Sequence, residues 1–316
     1  SQIPAPDGPA QAMAEGVEHG RIAAKRARVF VLANDYLTLM KPPIIVLLVI
    51  TAIGGMFLAA EGIPSLQTIA LVCLGGALGA GGANAINHFL DQDIDSIMSR
   101  TVRRPVASQR IPPLSALAFG IGLNIGAFLV LAYWVNLLSA CLTLSATLFY
   151  VLVYTGWLKR NTPQNIVIGG AAGAIPPMVG WAAVTGSLEL PAVYMFTIVF
   201  FWTPPHFWAL ALMIQDDYQE AGIPMLPVVV GEERTVQNIF IYSLALVALT
   251  LLFSASDAVG LIYLFSAAAL GAIFIALAWK LKLDYTIRRA KYLYLYSLLY
   301  LALLFSVMLA DAVYRF

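Results

Sequence analysis

Charge is scarce in this chain. Asp, Glu, Lys and Arg make up 11% of the 316 residues against 60% hydrophobic, and mean hydropathy is +0.83. An ordinary soluble domain carries about 25% charged residues, so a soluble fold is excluded and a polytopic membrane protein is indicated. Net charge is +1, which gives no sign of a nucleic-acid partner. Cysteine is nearly missing: Cys73 and Cys141 both fall inside apolar runs, where a free thiol behaves as a small apolar residue. The first 40 residues lack the apolar core of a cleaved secretory signal. No long polar stretch exists either, so no separate soluble domain is expected.

What the chain has in abundance is apolar runs of the length that crosses a bilayer as helix, about 20 residues. They lie near 44–60, 67–89, 114–135, 137–157, 165–184, 191–213, 236–254, 258–280 and 292–312. The expected fold is therefore all-α, with nine transmembrane helices forming one domain over 41–316, preceded by an interfacial segment over 1–40. In that segment Arg21, Lys25, Arg26 and Arg28 precede Val29, Phe30, Val31 and Leu32, the pattern of a basic helix lying on a membrane. If the spans alternate, every Lys and Arg except Arg315 falls on one side, together with the N-terminus. Basic loops mark the cytoplasm, so the N-terminus is expected inside and the C-terminus outside. Arg-rich mitochondrial presequences are poor in acid, and Asp7, Glu15 and Glu18 therefore favour a bacterial inner membrane.

The scarce polar residues are not scattered. Asn84, Asn87, Asp91 and Asp95 step by three, four and four at the end of the second run, which keeps them on one helical face while Asp93 points elsewhere. Carboxylates at membrane depth are costly and hold a cation or a cationic partner. Two carboxylates with amide oxygens suit Mg²⁺ that also binds phosphate and water. The bland alternative is a solvated helix end whose acids pair with Arg100 and Arg104. Arg100, Arg103 and Arg104 have the fork geometry that grips phosphate, although each also serves as a positive-inside residue. A second polar loop, Asp216-Asp217-Tyr218-Gln219-Glu220, offers another cation position centred on Asp217, or is simply wet.

Further polar groups line the same side. Lys159, Arg160, Gln164 and Asn165 crowd the ends of the fourth and fifth runs, as snorkelling anchors or as part of a site. Tyr150 and Tyr154 lie one turn apart above them, bordering a cavity or forming an aromatic belt. Inside the sixth run, Thr203-Pro204-Pro205-His206-Phe207-Trp208 is expected to interrupt the helix and free backbone carbonyls. His206 there either satisfies those carbonyls or touches substrate. Trp202, Phe207 and Trp208 read as lipid or core contacts, or as a wall for a flat ligand.

The run Asn87-His88-Phe89-Leu90-Asp91-Gln92-Asp93-Ile94-Asp95, continued by Met98, Arg100, Thr101, Arg104 and Pro105, resembles the first signature of the UbiA superfamily of intramembrane prenyltransferases. Blocks at 154–181, 202–212 and 217–234 agree, and Pro204-Pro205-His206-Phe207-Trp208 resembles the haem-modifying branch. The resemblance implies a nine-helix bundle around a central cavity. It also implies Mg²⁺-dependent transfer of a farnesyl group from farnesyl diphosphate to a vinyl group of haem B, with water added. By position, Asn87, Asp91 and Asp95 would hold Mg²⁺ and diphosphate with Asn84 adjacent, Arg100 and Arg104 would grip the diphosphate, and His206 would sit near haem. Two departures stand out. Asp217 is followed four residues later by Ala221 where the second signature has another aspartate, and Lys41-Pro42-Pro43 lacks an arginine expected after the first proline.

Three rivals share some of these features. A sister enzyme acting on a quinone precursor or a chlorophyll-type acceptor would keep the acid stripe. An anion transporter would use the interrupted sixth helix, and a haem carrier would bind haem without Mg²⁺. A haem-oxidising enzyme or a terminal oxidase is a partner by analogy alone.

Overall fold

A computed structural model describes the backbone of residues 9–314 and the side chains from residue 25 onward. Asp7 and Arg315, and the side chains of Glu15, Glu18 and Arg21, lie outside what is described. Among the described residues nine helices are long and apolar enough to cross a membrane: Pro42–Ala60, Leu66–Leu90, Pro113–Trp134, Leu137–Asn161, Asn165–Thr185, Leu190–Met213, Leu226–Phe253, Leu261–Leu283 and Ile287–Tyr314. They are called the first to ninth spans below. The fold is all-helical and multi-pass, as composition requires.

A helix over Pro9–Met40 precedes the bundle, with Val29, Phe30, Val31 and Leu32 all exposed, as an interfacial segment would have them. It ends at Lys41, whose left-handed backbone (φ 56°, ψ 63°) turns the chain into the first span. Pro42 disfavours helix in the residue before it, so the break belongs at Lys41.

Four spans differ from the simple reading. The sixth runs unbroken through Pro204 and Pro205, and Thr203 Oγ1 donates to the Val199 carbonyl at 2.9 Å just before them. The interruptions lie elsewhere. The fifth span changes helix at Ile175, between Asn165–Ala174 and Pro176–Thr185, and the fourth widens into a π-helix over Phe149–Leu158. The seventh begins at Leu226, ten residues before its apolar run, and is kinked at Gly231 (φ 80°, ψ 172°) so that the polar stretch after it still enters the helix.

Close approach of spans relies on small residues, as is general in membranes. The first and fifth spans meet where Gly55 faces the Pro177 carbonyl and Gly180 faces the Ala52 carbonyl, with no room for a Cβ at either. A main core runs from the fifth to the ninth span through Trp202, Trp208, Tyr263, Phe274, Tyr300 and Phe305. At one end of it buried Asp311 of the ninth span accepts from the Gly260 and Tyr263 amides at 2.6 and 3.2 Å, which caps the start of the eighth. At the other end a small core of Leu39, Ala85, Val106, Ile111 and Ala116 seats the loop that follows the second span. The ion pair of Arg110 with Asp35, at 3.0 Å, fixes that loop further.

Because backbone occupies the space beside Gly180, Gly180→Val is expected to drive the first and fifth spans apart, with loss of monodisperse protein on size exclusion and a lower unfolding temperature. Gly76→Ala, where the added methyl meets nothing within 4 Å, is expected to leave both unchanged.

Candidate functional site

The second span ends at Leu90, and Asp91 (φ −96°, ψ 9°) is the hinge to a short helix over Gln92–Ile97. The helical hydrogen bonds continue through the hinge, Asp91 N to Asn87 O at 2.9 Å and Asp95 N to Asp91 O at 2.7 Å. The stripe therefore survives a change of helix: Asn84, Asn87, Asp91 and Asp95 are all buried, while Asp93 is exposed.

Each acid of the stripe has a cation from elsewhere in the chain. Lys159, at the end of the fourth span, donates to Asp91 Oδ2 at 2.6 Å. Arg104 Nη1 donates to both oxygens of Asp95 at 2.8 Å. Lys41 Nζ donates to Asn87 Oδ1 at 2.9 Å, and Asn87 Nδ2 donates to Asp91 Oδ2 at 2.7 Å and to Thr155 Oγ1 at 3.2 Å. Asn84 donates to the Met40 carbonyl at 3.0 Å, which holds Lys41 in place. Four segments of chain thus converge on one polar knot within an apolar bundle. The Lys41 ammonium is pushed down to about 7, chiefly by burial and then by the Arg104 charge.

Outside the knot, Arg160 grips exposed Asp93 with two nitrogens at 2.7 and 2.8 Å and donates to the Leu90 carbonyl. This clamp holds Asp93 down at about 2, mainly through the Arg160 hydrogen bond. Arg160 is thus a tie between the second and fourth spans and not merely a snorkelling anchor. Asp217, from the loop after the sixth span, accepts from Ser99 Oγ at 2.8 and 2.9 Å and from the Arg100 amide at 3.3 Å. It is tied to the arginine loop and not to the acid stripe. Arg100 and Arg103 are exposed, and Arg103 gives its carbonyl to Arg110. Asn165 is fully buried, its amide 3.5 Å from the Lys159 carbonyl and its Oδ1 without a partner. Tyr150 and Tyr154 stack at 5.5 Å, and the Tyr154 ring lies against Gly169.

His206 occupies a separate setting. Its faces are covered by Trp202 at 4.3 Å and Tyr294 at 4.8 Å, both stacked. Its Nδ1 lies 2.6 Å from Ser297 Oγ, and that hydroxyl donates to the Tyr294 carbonyl at 2.6 Å. A hydroxyl has one proton, so Ser297 accepts from His206; this assigns Nδ1–H and leaves Nε2 the acceptor nitrogen of a neutral ring. The imidazole can use its edge and not its face. Trp202 and Trp208 are buried in the core, against the lipid-contact reading. Among the described residues no hydrogen bond links His206 to the acid stripe.

Two groups escaped the sequence. Lys41 looks like any positive-inside lysine before an apolar run, and only its left-handed turn shows that it reaches back to Asn87. His88 follows Asn87 and lies on the buried face between Asn84 and Asp91; it is 1% exposed, with neither ring nitrogen partnered. Its sequence signal was present, since it steps four from Asn84 and three to Asp91, but a lone histidine in an apolar run reads as packing.

The oxygens available suit a hard divalent ion. Asp91 Oδ1 is buried without a hydrogen bond, and Arg160 lies 3.8 Å from it, an ion pair too long for one. Among the described residues no three His, Cys, Asp or Glu side chains converge. Asp91 and Asp95 with the Asn87 amide oxygen could hold Mg²⁺ only as a partial set, with ligand and water filling the other positions, as beside phosphates.

Fold and site together define a polytopic helical membrane protein with a buried cluster of alternating acids and cations at one end of the bundle. The UbiA prenyltransferase family profile matches residues 48–310, and the chain belongs to that family. It is 54% identical over 282 residues to a protoheme IX farnesyltransferase of Roseiflexus sp. (strain RS-1), covering 89% of this chain and 53% of that one. It is 50% identical over 284 residues to a protoheme IX farnesyltransferase of Gloeobacter violaceus, covering 90% and 93%. The chain thus spans about half the length of the Roseiflexus relative and nearly all of the Gloeobacter one. Among solved structures, one described as digeranylgeranylglyceryl phosphate synthase superposes with a TM-score of 0.73 at 19% identity, covering 89% of this chain and 98% of that one. A UbiA homolog from Archaeoglobus fulgidus bound to GPP and Mg²⁺ gives 0.60 at 19% identity, covering 87% and 99%. These structures share the fold.

Removing Lys159 would strand Asp91 as a buried charge, a loss of about 3–5 kcal/mol. Lys159→Ala is expected to lower the unfolding temperature, and Asp91→Asn in the same chain to restore most of the loss. Additive losses in the double variant would show that the two do not act as a pair.

Proposed function

We propose that this protein transfers the farnesyl group of farnesyl diphosphate to a vinyl group of haem B, giving haem O and diphosphate. The observation that carries the reading is the acid and cation knot at the second span. The farnesyltransferase names of relatives at about half identity support the acceptor, and the Archaeoglobus structure with GPP and Mg²⁺ supports a metal-bound diphosphate in this fold.

The chemistry follows from charge. The allylic C–O bond breaks with its electron pair going to the diphosphate; a C–C bond then forms from the farnesyl carbon to the vinyl terminus. The cation left beside the porphyrin takes the oxygen of water, which loses a proton. Mg²⁺ bound by Asn87, Asp91 and Asp95 would neutralise leaving-group charge as a Lewis acid. Lys41, Lys159 and Arg104, paired with those same oxygens in the ligand-free protein, are placed to turn from acid to diphosphate and hold it in a dry setting where such contacts are strongest. Arg100, with Arg103 beside it, adds charge at the rim. Asp217 sits at the position of a second cation ligand, and its bonds to Ser99 and Arg100 support a role in holding the arginine loop. Tyr154 and Asn165 border the knot, Asn84 positions Lys41, and His206 presents Nε2 to the haem. Burial of the site excludes bulk water from the allylic cation until attack.

The positive-inside pattern supports a cytoplasmic location for this end of the bundle and for the N-terminus, and the bacterial relatives support an inner-membrane location. An unbroken sixth span removes the feature that favoured a transporter.

With membranes given farnesyl diphosphate and haem B, mass spectrometry is expected to find hydroxyfarnesylated haem for the native chain and none for Asp91→Ala or Arg104→Ala that are folded and inserted. Near-native product from Asp91→Ala would refute the metal assignment. Ser297→Ala, which frees the His206 tautomer, is expected to raise KM for haem several-fold and leave KM for farnesyl diphosphate unchanged; equal changes in both would sink the haem-facing role.

A further inference from the structure

Where the eighth span ends and the ninth begins, a cavity of about 650 Å³ opens, bordered by Lys280, Asp284, Arg288 and Arg289 with Leu277 and Tyr292. Tyr285 in the same turn donates to the Leu212 carbonyl at 3.4 Å, which places the cavity at the end of the bundle that carries the polar knot. The knot itself contributes none of the lining residues.

The cations here are not equivalent. Arg289 Nη1 is spent: it pairs with the Asp284 carboxylate at 2.7 Å and donates to the Asp284 and Lys280 carbonyls at 2.7 and 3.1 Å, closing the end of the eighth helix. Lys282, on the same helix, lies over the Phe240 and Trp279 rings at 4.9 and 5.3 Å. The side chains of Lys280 and Arg288 have no hydrogen bond or ion pair to any described residue, and both border one cavity. With Asp284 cancelled by Arg289, two positive charges remain uncompensated at the mouth of a crevice between two spans. Leu277, one turn deeper on the eighth span, and exposed Tyr292 supply apolar walls on the lipid side.

Cations that only anchor helix ends point outward into water; two that converge on a shared cavity with a greasy flank fit an amphiphile with a phosphate head. Basic pockets between membrane helices take anionic lipids for this reason. We propose that this crevice binds one anionic phospholipid, its phosphate between Lys280 and Arg288 and an acyl chain along Leu277 and Tyr292. The site is independent of the prenyl-transfer reading.

The test is native mass spectrometry of the full chain in detergent, titrated with phosphatidylglycerol or with phosphatidylcholine of the same acyl chains. Native protein is expected to retain phosphatidylglycerol in clear preference. Lys280→Gln or Arg288→Gln should weaken that binding roughly 5-fold each and the double variant about 25-fold, whereas Lys291→Gln, outside the cavity, should not. Equal retention of both lipids, or an undiminished preference in a double variant with native unfolding temperature, would overturn the proposal. So would displacement of the lipid by millimolar inorganic phosphate, because a free anion would then be the ligand. If the double variant unfolds, the two single variants decide.

Discussion

Asp91 is fully buried at the end of a membrane span, and the rest of the structure is arranged around that fact. A carboxylate there is costly without a close partner, and the chain brings Lys159 to 2.6 Å from a helix distant in sequence. The same requirement repeats at Asp95 with Arg104, and Lys41 adds a hydrogen bond to the Asn87 amide oxygen beside them. Every one of these partners lies at a helix end or in a turn, so the knot ties the ends of the first, second and fourth spans and the loop between the second and third. The left-handed turn at Lys41 and the π-helix leading to Lys159 are local departures that carry those ammonium groups to the site.

Such a knot is stable and at the same time poised. In the proposed reaction a metal would take over acid oxygens that protein cations now satisfy, and each cation so released would bind a phosphate oxygen. Pairing keeps these charged groups from being stranded in hydrocarbon. His206 follows the opposite logic: stacked on both faces and fixed through Ser297, it gives up freedom so that one nitrogen points in one direction with one protonation state.

Much of this was legible from residues alone. The nine spans follow from the apolar runs, and the acid stripe from three- and four-residue steps, because both depend on helical periodicity. The start of the seventh span was not legible: Glu232, Glu233 and Arg234 read as loop, and helix enters them through the Gly231 kink. Nor was the path of the sixth span, where two prolines are carried without a break while the real departures fall at Ile175 and in the π-helix over Phe149–Leu158. Within the site, Asp91 and Arg104 were plain, whereas Lys41 and His88 depend on tertiary placement. Asp217 was found by its acidic neighbours, but its tie to Ser99 and Arg100 is a contact between loops more than a hundred residues apart, which no local pattern encodes.

The central claim is that these acids exchange their protein cations for a metal that carries the diphosphate. Equilibrium binding of an unreactive farnesyl thiodiphosphate to the purified protein, with and without Mg²⁺, tests it most directly. The account predicts tight binding with the ion and its loss when the ion is chelated, with the same loss in Asp91→Ala whether or not Mg²⁺ is present. Full affinity in the absence of any divalent ion would contradict it.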